Sequence, residues 1–219
     1  KSAGIKPILG CEVYTTNNPL NASPKEKNKD NYHLILLAEN EQGYKNLVKI
    51  VSEGTRDVYN KRPRVHKETL REYREGIICL SACLAGELPR AIQAKDEEKV
   101  RRVIEEYIDI FGKENYFFEI QRHGIEEEDL VSRVLIRLAK EYGIEVVATN
   151  DFHYVNKDDC IAQDILYCIQ YAAKYKSENR LKLPTPEFYV KSPEEMNELF
   201  GDEADCLSNT AKIAERCNV

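Results

Sequence analysis

Short apolar runs of β-forming residues alternate with longer stretches of helical periodicity, and this alternation constrains the fold of the chain more than any other feature. Five runs stand out, at 8–14, 33–38, 76–81, 116–120 and 144–149. Between them, 41–52 sets Tyr44, Leu47, Val48 and Val51 at helical spacing, and 96–111 does the same with Val100, Val103, Ile104, Tyr107 and Ile108. A third helix, 127–142, carries Leu130, Val134, Leu135 and Leu138, and Gly143 stands where a C-terminal cap glycine belongs. This is βαβ grammar and predicts an α/β fold. The runs Ile77-Ile78-Cys79-Leu80 and Val146-Val147-Ala148 are apolar throughout. Such strands are covered on both faces, as in a parallel sheet or a (β/α) barrel, where ligands collect at the C-terminal strand ends.

After Val155 the character changes. Residues 158–171 read as helical, and 180–191 as extended, with Pro184 and Pro186. Ser192-Pro193-Glu194-Glu195 opens a last helix with an N-cap serine, a proline at the first helical position and acids in the first turn. We therefore divide the chain into 1–155, the barrel, and 156–219, a tail leaving it.

Composition narrows the classes. A chain of 219 residues, 42% of them hydrophobic, suffices for one well-buried core. No run approaches the roughly 18 apolar residues of a membrane helix, so no membrane partner is expected. The seven cysteines are odd in number and include no C-x-x-C pair, which fits a reducing cytoplasm. A net charge of −6 argues against holding nucleic acid by bulk electrostatics, so any DNA contact must be local. Lys1 is preceded by no initiating Met and followed by no apolar leader, and is expected to continue an upstream segment.

The sharpest chemical signal is Thr149-Asn150-Asp151-Phe152-His153-Tyr154, directly after an apolar run. In extended backbone Asp151 and His153 would share a face, and a carboxylate beside an imidazole supplies two ligands for a divalent metal. The same pair could instead cap the next helix. His33 opens a run, Glu12 follows Gly10-Cys11, and Cys83 lies just past Leu80. Taken singly these read as a satisfied histidine, a surface glutamate and a buried thiol. His66 lies in the basic stretch Lys61-Arg62-Pro63-Arg64-Val65-His66-Lys67, read as a solvated loop with a chance contact to nucleic acid. His123, just past a run, either lines the same mouth or serves a turn. Cys79, Cys160, Cys168, Cys206 and Cys217 read as core or surface thiols.

Several segments carry a resemblance in combination. They are 4–12 (Gly-Ile-Lys-Pro-Ile-Leu-Gly-Cys-Glu), 33–38 (His-Leu-Ile-Leu-Leu-Ala), Arg62-Pro63-Arg64-Val65, 80–87 (Leu-Ser-Ala-Cys-Leu-Ala-Gly-Glu) and 148–154 (Ala-Thr-Asn-Asp-Phe-His-Tyr). In this order they resemble the polymerase-and-histidinol-phosphatase (PHP) domain of bacterial replicative polymerase III α subunits. Segments 188–196 and 213–219 resemble the passage from that domain to the palm, so the likeness spans essentially the whole chain.

The resemblance implies an incomplete, distorted (β/α)7 barrel with a helical and extended C-terminal tail leading toward the palm. It also implies up to three divalent metals, zinc or manganese, with Glu12, His33, Cys83, Asp151 and His153 matching the family's later ligands. In family terms Glu12 bridges two metals, and we assign Asp151 and His153 to the catalytic centre. The earlier ligands, a His-x-His motif, an Asp and a further His, would precede Lys1, so this stretch alone is expected to be inactive. The parent implied is a DNA-directed DNA polymerase of DNA replication, with magnesium at a polymerase site downstream of Val219. Its implied partners are DNA and other replicase subunits, including a proofreading exonuclease. Within such a parent the domain is either a metal-dependent 3′–5′ exonuclease or a non-catalytic, metal-stabilised platform. A free-standing small-molecule phosphatase is a third reading, against which the palm-like tail segments count.

Overall fold

The computed structural model describes residues 2–18, 30–59 and 62–219; Lys1 and Lys61 lie outside the described residues. Seven strands are described: β1 Gly10–Thr16, β2 Tyr32–Ala38, β3 Val58–Tyr59, β4 Arg62–His66, β5 Ile77–Leu80, β6 Tyr116–Ile120 and β7 Val146–Ala148. They form one sheet of order β3-β4-β1-β2-β5-β6-β7. The helices are α1 Glu41–Gly54, α2 Lys67–Glu72, α3 Glu87–Gln93, α4 Glu97–Phe111, α5 Glu126–Tyr142, α6 Cys160–Gln170, α7 Pro193–Phe200 and α8 Ala204–Arg216. The α/β class holds, and the architecture is consistent with a barrel-like sheet. Among the described residues no ladder joins β7 to β3, so the ring is not closed there.

β5, β6 and β7 pair in parallel across helices, as βαβ grammar requires. β2 departs from it, running antiparallel to both β1 and β5. A parallel return needs a crossover element, whereas the sequence 17–31 between β1 and β2 is polar and carries no apolar helical stripe.

One face of the sheet packs on α1, α3, α4 and α5 around Leu36, Ile50, Cys79, Leu88, Ile104, Tyr116, Phe118 and Leu135. The other face joins Ile78, Leu80, Phe117 and Val147 to Ile213 and Cys217 at the end of the chain. β5 and β6 are therefore buried on both sides, which is why they are apolar at consecutive positions, Glu119 of β6 excepted.

Two sequence expectations are corrected. In α1 the buried stripe is Gly43, Asn46, Leu47 and Ile50, while Tyr44, Val48 and Val51 are exposed. The cause is a close backbone approach: a Cβ on Gly43 would meet the Gly76 carbonyl oxygen at 1.8 Å, so the glycine face must turn inward. The basic stretch after Lys61 is no solvated loop. Arg62–His66 is strand β4, parallel to β1, and Arg64, His66 and Lys67 are buried. Asp57 pairs with Arg64 at 3.1 Å and with His66 Nε2 at 3.1 Å, and His66 Nδ1 lies 2.8 Å from the Asn18 carbonyl oxygen. Lys67 is held by Glu87 at 2.8 Å and Glu106 at 2.5 Å. These cations are matched by acids distant in sequence, which local pattern does not show.

Two end signals act as read. Gly143 takes φ +67° at the end of α5, and Ser192 with Glu195 forms a reciprocal capping box at the start of α7. The last residues return to the sheet: the Asn218 N–H donates to the Glu39 carbonyl at 2.7 Å, and Arg216 bonds Glu39 at 2.9 Å. Among the described residues no helix is long and apolar enough to cross a membrane.

Candidate metal centre

The reversed strand β2 explains how His33, which opens a strand, can join residues at the far ends of others. In an antiparallel pair, the start of one strand lies beside the end of its neighbour. Glu12 faces Ile35 and His33 faces Tyr14, so Glu12 and His33 are diagonal neighbours on one face. The Glu12 Oε1 and His33 Nδ1 atoms are 2.6 Å apart. Beyond β5, the Ala85 carbonyl accepts the His33 backbone N–H at 3.1 Å, and this brings Cys83 Sγ to 3.5 Å from His33 Nδ1. The Tyr14 ring meets His33 edge-on at 5.0 Å.

Asp151 and His153 follow β7 in irregular backbone, with Asp151 at φ +40°. His153 is exposed, its Nδ1 2.7 Å from the carbonyl oxygen of Asp151. With Asp151 at positive φ the two side chains do not follow the alternation of an extended strand, from which a shared face is expected. The local electrostatics still link the two halves of the site. The hydrogen bond from His33 lowers the Glu12 carboxyl below its usual range, and the charge of His153 adds to the effect. Burial raises Asp151, and the charge of Glu12 raises it further. Burial pushes the Cys83 thiol up to about 12, reinforced by the charges of Asp151, Glu12 and Glu119.

Sequence reasoning passed over Glu119, Glu128 and, in part, His123. Glu119 on β6 is buried, accepts hydrogen bonds from Thr149 and Gln121, and is raised by burial to about 7. Its signal was present as a lone acid between the aromatic run Tyr116-Phe117-Phe118 and Ile120. His123 is fully buried, with Nδ1 2.8 Å from Glu128 Oε1 and Nε2 2.8 Å from the Asn150 carbonyl oxygen. It belongs to the mouth as a buried support.

As a donor set the site offers carboxylate oxygen, imidazole nitrogen and thiol sulfur, a mixture suited to zinc or manganese in type. Among the described residues no Lys or Arg forms an ion pair with Glu12, Glu119 or Asp151, and the basic side chain against Glu12 is the His33 imidazole. Glu12 and His33 contact each other directly, and among the described residues no three His, Cys, Asp or Glu side chains already form a metal cage. The donor chemistry fits a divalent ion; the gathering of donors is not preformed.

Comparison with known proteins matches residues 1–123 to a family described as PHP domain. The chain is 46% identical over 219 residues to the DNA polymerase III subunit alpha of Borreliella burgdorferi, covering 100% of this chain and 19% of that protein. It is 43% identical to the same subunit of Treponema pallidum, covering 99% of this chain and 18% of that protein. For Thermus aquaticus the identity is 39%, with coverage of 99% and 18%. The chain thus spans about a fifth of the length of these curated relatives.

Proposed function

From the premise that the chain belongs to the PHP domain family, we propose that it is the PHP portion of a DNA polymerase III α subunit and carries a metal-dependent phosphoesterase site. The observation that supports the site is the meeting of Glu12, His33 and Cys83 from β1, β2 and the loop after β5. Glu12, His33 and Cys83 would hold metal at one side of the mouth, and Asp151 and His153 at the other. These residues would hold a divalent ion whose chemistry, when bound, would be to acidify a water and clamp a phosphodiester. The protein's own part is to keep the Glu12 carboxyl ionised through His33 and to hold Asp151, in left-handed backbone, within electrostatic reach of it.

The substrate class we assign is the 3′ end of DNA, with 3′–5′ exonuclease chemistry. DNA polymerisation, magnesium at a separate polymerase site, other replicase subunits as partners and a cytoplasmic location belong to the same proposal. So does the division at 155/156.

The test is chelator-sensitive release of 3′ nucleotides by the full-length protein and its Asp151→Asn variant. Asparagine tolerates positive φ, so the turn survives the substitution. We expect release to fall at least about tenfold, a loss of about 1.4 kcal/mol of transition-state stabilisation, while primer extension persists as a check on folding. Equal release by both proteins rejects the catalytic assignment. No release by the wild type leaves a metal-stabilised platform.

A further inference from the structure

We propose that His123, anchored by Glu128, is a positioning residue that fixes the Asn150–His153 segment so that Asp151 and His153 can take a metal. This rests on the metal reading of the site.

Asp151 sits at φ +40°, left-handed backbone that aspartate adopts more readily than most residues, and the segment on either side of it is held from outside. Those contacts lead back to His123. On one side of Asp151, His123 Nε2 lies 2.8 Å from the Asn150 carbonyl oxygen, while Lys191 donates to Asn150 Oδ1 at 3.1 Å. On the other side, the His153 N–H donates to the Phe188 carbonyl at 2.8 Å. The Phe188 ring lies flat on His123, centroids 4.0 Å apart at 9°, and meets His153 edge-on at 5.5 Å. His123 thus touches the residue before Asp151 directly and His153 through one aromatic ring.

His123 is itself immobilised. Glu128, in the first turn of α5, accepts the His123 backbone N–H at 2.7 Å and lies 2.8 Å from ring Nδ1. Thr185 donates to the His123 carbonyl at 2.8 Å. The two ring nitrogens face oxygens on opposite sides, Glu128 Oε1 and the Asn150 carbonyl, so the ring is held from both edges. The consequence is directional: the Glu128 carboxylate sets the ring plane, and the ring plane sets the Asn150 carbonyl and the Phe188 face.

The experiment measures zinc affinity of the full-length protein by competition with a chromophoric chelator, for wild type, His123→Phe, Glu128→Gln and Asp151→Asn. His123→Phe keeps the stack on Phe188 and loses both ring hydrogen bonds. Glu128→Gln keeps a backbone acceptor, removes the charge and serves if His123→Phe does not fold. Supporting groups of this kind alter metal affinity about 10- to 100-fold, and we expect that loss in both variants. Melting of the metal-free proteins and primer extension report folding separately. Wild-type zinc affinity in folded His123→Phe and Glu128→Gln, alongside a loss in Asp151→Asn, overturns the positioning role alone. No loss in Asp151→Asn overturns the metal reading itself.

Discussion

At the scale of single residues, Cys83 and Glu119 are the sharpest probes of the mouth. Cys83 supplies a soft donor among oxygens and nitrogens, and softness favours zinc over manganese. Cys83→Ser in the full-length protein should therefore lower bound zinc and shift content toward manganese, as read by metal analysis after identical purification. A thiol that merely packs would leave zinc stoichiometry unchanged. Glu119 offers a pH signature in chelator-treated protein. Its carboxyl is raised from 4.5 to about 7 by burial, so the folded state binds more protons than the unfolded state between those values. Stability should then fall as pH rises through that window, by on the order of 3 kcal/mol in full. Glu119→Gln should flatten this slope and melt higher than wild type at pH 8. A variant that melts lower there, with the slope intact, would assign the pH response to another group.

Among the elements, β4 shows how buried charge replaces the apolar pattern that marks other strands. Arg64 and His66 are held inside by Asp57, which precedes β3. Removing one partner of a buried pair leaves the other desolvated, so Asp57→Ala should cost about 3 kcal/mol or more. The loss should appear as faster amide exchange across β4 and along β1, its parallel neighbour. Exchange confined to wild-type rates would mean that the pairing of β4 does not depend on Asp57. For α1 the hydrophobic stripe was legible as a helix but not as a face. Periodicity fixes the 3.6-residue repeat, whereas the Gly43–Gly76 approach selects which arc turns inward.

Over the whole molecule, the end of the chain contributes to the core. Ile213 and Cys217 cover the β5–β6 face opposite α4 and α5, and Arg216 ties Glu39 to the Glu114 carbonyl. Ile213→Ala should destabilise by about 2 kcal/mol or more, measured as a lower denaturation midpoint with an unchanged slope. A loss below about 0.5 kcal/mol would show the site collapsing around the smaller side chain, or a face that contributes little. The sequence by itself determined the α/β class, the five apolar strands and the caps at Gly143 and Ser192, and it marked Glu12, His33, Cys83, Asp151 and His153 as candidate ligands. All of these rest on local periodicity, local backbone preference or motif resemblance. Tertiary structure alone decided the reversal of β2, the burial of Arg64 and His66, the inward arc of α1 and the contact of His123, itself held by Glu128, with Asn150. Each depends on a partner brought near by folding: Ile35 beside Glu12, Asp57 beside Arg64, Gly76 beneath Gly43, Asn150 against His123. Which distant groups meet is set by how strands pair and helices pack, and a reading along the chain carries no term for that meeting.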